Sequence, residues 1–258
     1  MTGAVALSPP LAAASGWGGA LFPLAAAIVA LVFGAMLARL FMSRRRPFHG
    51  LWALAMFMFA AASFAMALGV ADGWTAAEYR VYWLFGAILN VPYLAVGEVY
   101  LLARRRWIAH ITLGLLLVGT AFAAKTVLAA PIDSAALAKS LPLGKDVFGD
   151  SSAPYRLAQV YAYPAYFLLL GGIVWSAWGM RGRPDLRDRT AGAVGIALGA
   201  TIVAVGSGVG AGLNNPPIFS LCLALGIVVM FAGFLRTARA PRPAASGSTA
   251  AGASSDRA

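Results

Sequence analysis

Seven long apolar runs alternate with short polar breaks along the chain, near residues 20–42, 50–71, 81–103, 107–130, 155–180, 190–213 and 216–236. Each is long enough to cross a hydrocarbon core as a helix, which takes about 20 residues. The breaks are Ser43 to Pro47, Asp72-Gly73-Trp74, Arg104 to Arg106, Pro131 to Pro154, Arg181 to Arg189, and Asn214-Asn215-Pro216-Pro217. Within the runs apolar residues are continuous rather than alternating, which excludes a closed β-barrel. The pattern predicts an all-α seven-transmembrane-helix bundle over residues 20–236. Residues 1–19 are expected to form a short tail, and 237–258, rich in Ala, Ser, Gly, Pro and Arg, a disordered one.

Composition agrees with the pattern. Of 258 residues, 60% are hydrophobic and 11% charged, against about 25% charged in a soluble domain, so a water-soluble fold is excluded. The net charge of +11 would suggest nucleic acid in a soluble protein. Here the basic residues are short clusters between apolar runs, so no nucleic-acid partner is expected. Of the 20 Lys and Arg, 15 fall on one side of the bundle, from Arg39 and Arg44 to Arg46 through Arg104 to Arg106 to Arg236 and Arg239. Basic loops stay in the cytoplasm, which puts the N-terminus outside and the C-terminus inside. No charged side chain precedes Arg39, and without a basic n-region a cleavable signal peptide is not expected. The lone Cys222 rules out a disulfide framework and a multi-cysteine metal site. Ser134 to Leu141 in the longest loop can form two turns of interfacial helix, with Gly144, Gly149 and Pro154 breaking the remainder of the loop; the loop reads either as a lid or as a plain connector.

At 100° per residue the third span separates into faces. Tyr82, Tyr93 and Tyr100 fall together with Gly86, Gly97 and Asn90 beside them, and Pro92 is expected to kink the helix because its ring crowds the Ile88 carbonyl. Asn90 is placed to satisfy backbone groups freed by the kink. On the fifth span Tyr155, Gln159, Tyr163 and Tyr166 share one arc, and Pro164 interrupts that helix. If the two stripes face each other, Tyr82, Asn90, Pro92, Tyr93, Gln159, Tyr163 and Tyr166 line a ligand pocket; otherwise they are aromatic packing.

Glu98 is the only acid well inside a span, where a carboxylate is costly and usually faces the bundle with a partner. Two readings are open. Glu98 pairs with His110 on the next helix, at a depth differing by about 3 Å, as a proton-binding element; or it snorkels toward the cytoplasmic arginines and neutralises one of them. Arg80 and Lys125, near one level, either snorkel outward or attract an anion. On the sixth span Gly192, Gly195, Gly199, Gly206 and Gly210 form a smooth ridge for close contact with a neighbouring helix or a second protomer.

The third span opens Arg80-Val81-Tyr82-Trp83-Leu84-Phe85, similar to microbial rhodopsins, but the seventh span has no lysine for a retinal Schiff base. Residues 82–94, Tyr82-Trp83-Leu84-Phe85-Gly86-Ala87-Ile88-Leu89-Asn90-Val91-Pro92-Tyr93-Leu94, resemble uncharacterised seven-helix membrane proteins of high-GC bacteria. That resemblance implies a bacterial inner-membrane location and lends no activity. No Walker sequence, paired-histidine metal motif or nucleophile elbow occurs, so no cofactor, metal or catalytic residue is expected. The expected function is small-molecule binding or transport through the tyrosine-lined cavity of spans three and five. The alternative is a membrane sensor or assembly subunit acting through a protein partner. Expected partners are the lipid bilayer, a small-molecule ligand, and a second protomer or other membrane protein.

Overall fold

The computed structural model describes residues 17–180, 187–212 and 216–239. Among them there is no strand, and seven helices are long and apolar enough to cross a membrane. In chain order the elements are α1 (Trp17–Arg44), α2 (Pro47–Asp72), α3 (Ala76–Val81), a π-helical segment (Tyr82–Leu89), α4 (Asn90–Leu102), α5 (Arg106–Ala129), α6 (Ser134–Leu137), α7 (Gly144–Phe148), α8 (Ala153–Gly179), α9 (Arg187–Gly212) and α10 (Pro216–Arg239). The third span is continuous from α3 through the π segment to α4. The chain is a multi-pass helical membrane protein. Residues 1–16 and 240–258, the bulk of both expected tails, lie outside the described residues; helix α10 runs past the expected boundary to Arg239.

Six of the spans close into a ring. Helix α1 packs on α2, α2 on α4, α4 on α8, α8 on α9, α9 on α10, and α10 back on α1. Helix α5 stands outside the ring against α4, the π segment and α8. Burial is greatest in α2, where 72% of the apolar window is enclosed, against 17% for α5 outside the ring and for the ring members α8 and α9.

The tightest seam joins α9 to α10. A Cβ built on Gly199 would lie 2.5 Å from the Gly226 carbonyl oxygen and 2.5 Å from the Met230 nitrogen, and one on Gly192 would lie 2.6 Å from the Gly233 oxygen. Gly195 faces the Gly233 Cα, and Gly206 rests on Cys222. Because lipid tails are as apolar as side chains, such helices associate through close dispersion contact, which only small residues allow. The surroundings of Gly210 lie outside the described residues.

Pro92 produces a change of helix type. Its ring would crowd a carbonyl one α-turn back. The turns before it are widened, with the Asn90 N–H donating to the Phe85 carbonyl, five residues back. Asn90 is not used to repair freed backbone, since its Nδ2 donates across to the Ala55 carbonyl of α2 at 2.7 Å.

The end of the bundle away from the arginine clusters is sealed. Trp74, Tyr79, Trp83, Phe148 and Tyr155 form a chain of ring contacts. Their polar tips strap down the 131–154 segment: Trp74 Nε1 donates to the Ser140 carbonyl at 3.2 Å, Tyr79 Oη to Pro142 at 3.2 Å and Trp83 Nε1 to Pro154 at 3.1 Å. The expected two-turn helix over 134–141 is a single turn, and the stretch expected to be broken contains α7. Gly144 begins α7 because the Trp83 ring occupies the space a Cβ there would need. Gly149 ends it with φ of 91°, a conformation that glycine adopts without a Cβ penalty. The segment is therefore a lid held by aromatic residues. Outside the membrane spans, the hydrogen bond from Lys139 at 2.7 Å holds the Asp146 carboxyl below the usual range. The contribution of that exposed pair is present above the ordinary aspartate range and is lost as pH falls through the lowered value.

Trp83→Ala should loosen this lid, since truncating a buried tryptophan costs about 3–5 kcal/mol and removes its hydrogen bond to the Pro154 carbonyl. Limited trypsinolysis after Lys139 and Lys145 is the check. Cleavage should be at least about tenfold faster than in the unmodified protein, a factor that corresponds to about 1.4 kcal/mol of easier opening.

Candidate functional site: a vestibule at the arginine-rich end

The six-helix ring encloses a cavity of about 1050 Å³ to which α5 contributes nothing. Exposed Arg44 and Arg46 stand at its mouth, and Phe33, Met56, Leu94, Leu169 and Met230 form its inner wall. From Arg44 down to Phe33 the rise along α1 is about 16 Å, roughly half the hydrocarbon thickness. The turn from α1 to α2 shapes this mouth. Arg45 takes a left-handed conformation with φ of 51°, and its N–H donates to the Phe41 carbonyl at 2.7 Å, closing α1 so that Pro47 can start α2 at once.

Two polar side chains of the lining are buried, in addition to the exposed Arg44 and Arg46 and the half-buried Ser176 and Thr237. Glu98 of α4 is 3% exposed. It leans over α8 where Gly172 leaves room: a Cβ at 172 would lie 2.7 Å from Glu98 Cγ and 3.2 Å from its Oε1. Among the described residues no hydrogen bond or ion pair engages its carboxylate. His49 of α2 is 6% exposed, and its Nδ1 has no partner among the described residues. Between them Trp52 lies against Gly97, its indole N–H spent on the Leu94 carbonyl at 3.1 Å. Native proteins pair nearly all buried polar atoms, so the orphaned His49 Nδ1, with the unpaired Glu98 carboxylate in the same cavity, calls for a ligand or water.

The residues expected to form a tyrosine pocket are distributed elsewhere. Spans three and five do pack together, through α4 and α8, but not by their tyrosines. Tyr82 joins the aromatic seal with Trp74 and Tyr79. Asn90 is bonded to α2, and buried Pro92 lies just past the end of the π segment. Tyr93 Oη meets Thr120 Oγ1 of α5 at 3.2 Å. Gln159 is exposed, Tyr163 is 63% exposed on the outer face of α8, and Tyr166 Oη reaches Thr201 Oγ1 of α9 at 3.1 Å. The contact from α8 to α5 is made instead by Tyr161, which donates to the Gly119 carbonyl at 3.1 Å.

Neither reading of Glu98 is realised. His110 is exposed on α5, and its Nδ1 is bonded to Tyr100 Oη at 2.8 Å. Tyr100 lies two residues from Glu98, about 200° around the helix, so the side of α4 that meets His110 is turned away from the carboxylate. Nor does Glu98 form an ion pair with any arginine among the described residues. Arg80 is likewise committed: its guanidinium donates to the carbonyls of Val127 at 3.2 Å and Ala130 at 2.9 Å, capping the C-terminus of α5.

His49, Trp52 and the walls supplied by α1 and α10 line the candidate site, and the hydropathy pattern does not single them out. A histidine at the start of a span has only one signal, its position in an apolar helix one turn inside a basic cluster. Among the described residues no group of three or more His, Cys, Asp or Glu is placed to hold a metal ion. No family model matches the chain, and no curated protein or solved structure matches it.

Proposed function

We propose that the protein binds a small molecule in this vestibule and carries it across the bacterial inner membrane, with the arginine-rich end in the cytoplasm. The observation that carries the reading is the pair of buried, unpaired polar side chains, Glu98 and His49, inside a ring-enclosed apolar cavity. A ligand pocket has this composition: mostly apolar walls and a few placed polar groups. The space is larger than a few structural waters need. Transport, beyond binding, is supported by the asymmetry of the bundle. One end is open to mid-membrane depth, and the other is closed by aromatic rings and a lid. The third span, which contributes both Glu98 and the seal, carries a π segment and Pro92 between them, and such segments are frequent at functional sites.

Filling the vestibule tests this. Ser176 lines it from the lightly packed α8, so Ser176→Phe should block the cavity while leaving the fold intact. After incubation with a bacterial metabolite extract and repurification in mild detergent, mass spectrometry should find a small molecule on the unmodified protein and not on the variant. The same compound should cross proteoliposomes bearing only the unmodified protein. Equal small-molecule content in the two proteins would refute the reading.

A further inference from the structure

Resting on that reading, we propose that the vestibule selects organic cations: amphipathic molecules whose ammonium or iminium group is held against the Glu98 carboxylate and whose apolar body lies among the aromatic and methionine walls. The charge distribution leads there. Glu98 is buried and, among the described residues, meets no protein donor. Ionised, the carboxylate accepts hydrogen bonds and donates none, so a cationic donor is the partner that best holds it in its charged form in low dielectric.

The opposite charges present do not cancel this preference. Arg44 and Arg46 are exposed at the rim, where salt screens a charge over about 8 Å. Glu98 lies deeper, where the low-dielectric walls leave its charge less screened than those at the rim. The walls fit a cation as well. Trp52 has its indole N–H already engaged, leaving its ring surface for contact, and Phe48 packs edge-on against it with centroids 5.4 Å apart. Aromatic faces attract cations, and Met56, Met180 and Met230 give an adaptable lining. His49 Nδ1 offers a second polar contact for ligands that also carry a donor or acceptor.

The charged and titratable groups lining the cavity with Glu98 are Arg44 of α1, Arg46 of the turn after it and His49 of α2; the lining residues of α8, α9 and α10 are uncharged. A permanently charged ligand therefore competes with protons for the Glu98 oxygens, and its binding should weaken as pH falls. Charging of His49 acts in the same direction, so His49→Gln should keep the part of the pH dependence that Glu98 supplies, Glu98→Gln only the part that His49 supplies, and the double variant neither.

The test uses two fluorescent aromatic probes of opposite charge, ethidium and 8-anilinonaphthalene-1-sulfonate, with the full chain in phosphatidylcholine nanodiscs. Ethidium should bind the unmodified protein, be excluded by Ser176→Phe and be weakened at least tenfold by Glu98→Gln. Arg44→Gln and Arg46→Gln should leave its affinity equal or higher. The sulfonate should bind the unmodified protein more weakly and gain affinity, rather than lose it, on Glu98→Gln. Because the probe preference and the pH dependence are read on the unmodified protein, they hold even if Glu98→Gln is poorly folded. Ethidium binding that Ser176→Phe blocks but Glu98→Gln leaves unchanged, or a preference for the sulfonate, would overturn the cation assignment while leaving the vestibule standing. Binding that ignores Ser176→Phe would overturn both.

Discussion

Gly199→Leu should separate α9 from α10 and give a protein that is not recovered folded in mild detergent, or one whose thermal midpoint falls by roughly 10 °C. The Cβ alone would stand 2.5 Å from the Gly226 oxygen and the Met230 nitrogen and 2.9 Å from the Met230 Cα. These are backbone atoms of a helix, so no rotamer change relieves the clash, and the helices must move apart. Overpacking in a tight core typically costs about 1–3 kcal/mol and occasionally more. Here the loss extends along the seam, because Gly192, Gly195 and Gly206 use the same close approach, so about 3 kcal/mol or more is expected. Gly208→Leu on the same helix is the control. Nothing lies within 4 Å of a Cβ there, and the change should be neutral or slightly stabilising through better helix propensity. Thermal unfolding of the pair in one detergent checks the prediction, and equal midpoints would show that the α9–α10 contact does not hold.

Gly97→Val should be nearly as severe, and it reaches the vestibule directly. A Cβ at 97 would occupy the space of the Trp52 indole. Pushing that ring away breaks its hydrogen bond to the Leu94 carbonyl and parts α2 from α4 next to Glu98. A lost buried hydrogen bond costs about 1–3 kcal/mol when a group is left unsatisfied, and the steric term adds to it. The expected result is a midpoint lower by at least about 5 °C together with loss of vestibule binding; for a chain of this size each kcal/mol moves the midpoint by about 2–4 °C. Gly171→Val on α8, where nothing lies within 4 Å, should change neither.

The spans were legible because crossing a membrane demands about 20 apolar residues whatever the neighbours are, and the glycine face of α9 because close packing demands small side chains. Which helices are neighbours was not legible. The third span shows why. A uniform 100° step aligned Tyr82 with Tyr93, but the π segment between them takes up extra residues and slips the phase, so Tyr82 joins the seal while Tyr93 faces α5. Glu98 was recognisable as a buried acid facing the bundle. Its surroundings depend on α8 lacking a side chain at Gly172 and on α5 lying outside the ring, and neither leaves a mark in the hydropathy of the chain. His49 was hidden for a related reason: its sequence position reads as a span end, yet it is buried in a cavity that α1 and α10 also line.

The substitution Ser176→Cys, made in a Cys222→Ala background, tests the open, ligand-accessible vestibule most directly. The introduced thiol should react with a membrane-impermeant maleimide in inverted vesicles, be slowed by occupancy of the cavity, and stay unreactive in right-side-out vesicles. Ser151→Cys, exposed at the sealed end, should show the opposite sidedness. A thiol at position 176 that reacts from neither side, or that reacts from the side of Ser151, would contradict a vestibule that opens at the arginine-rich end.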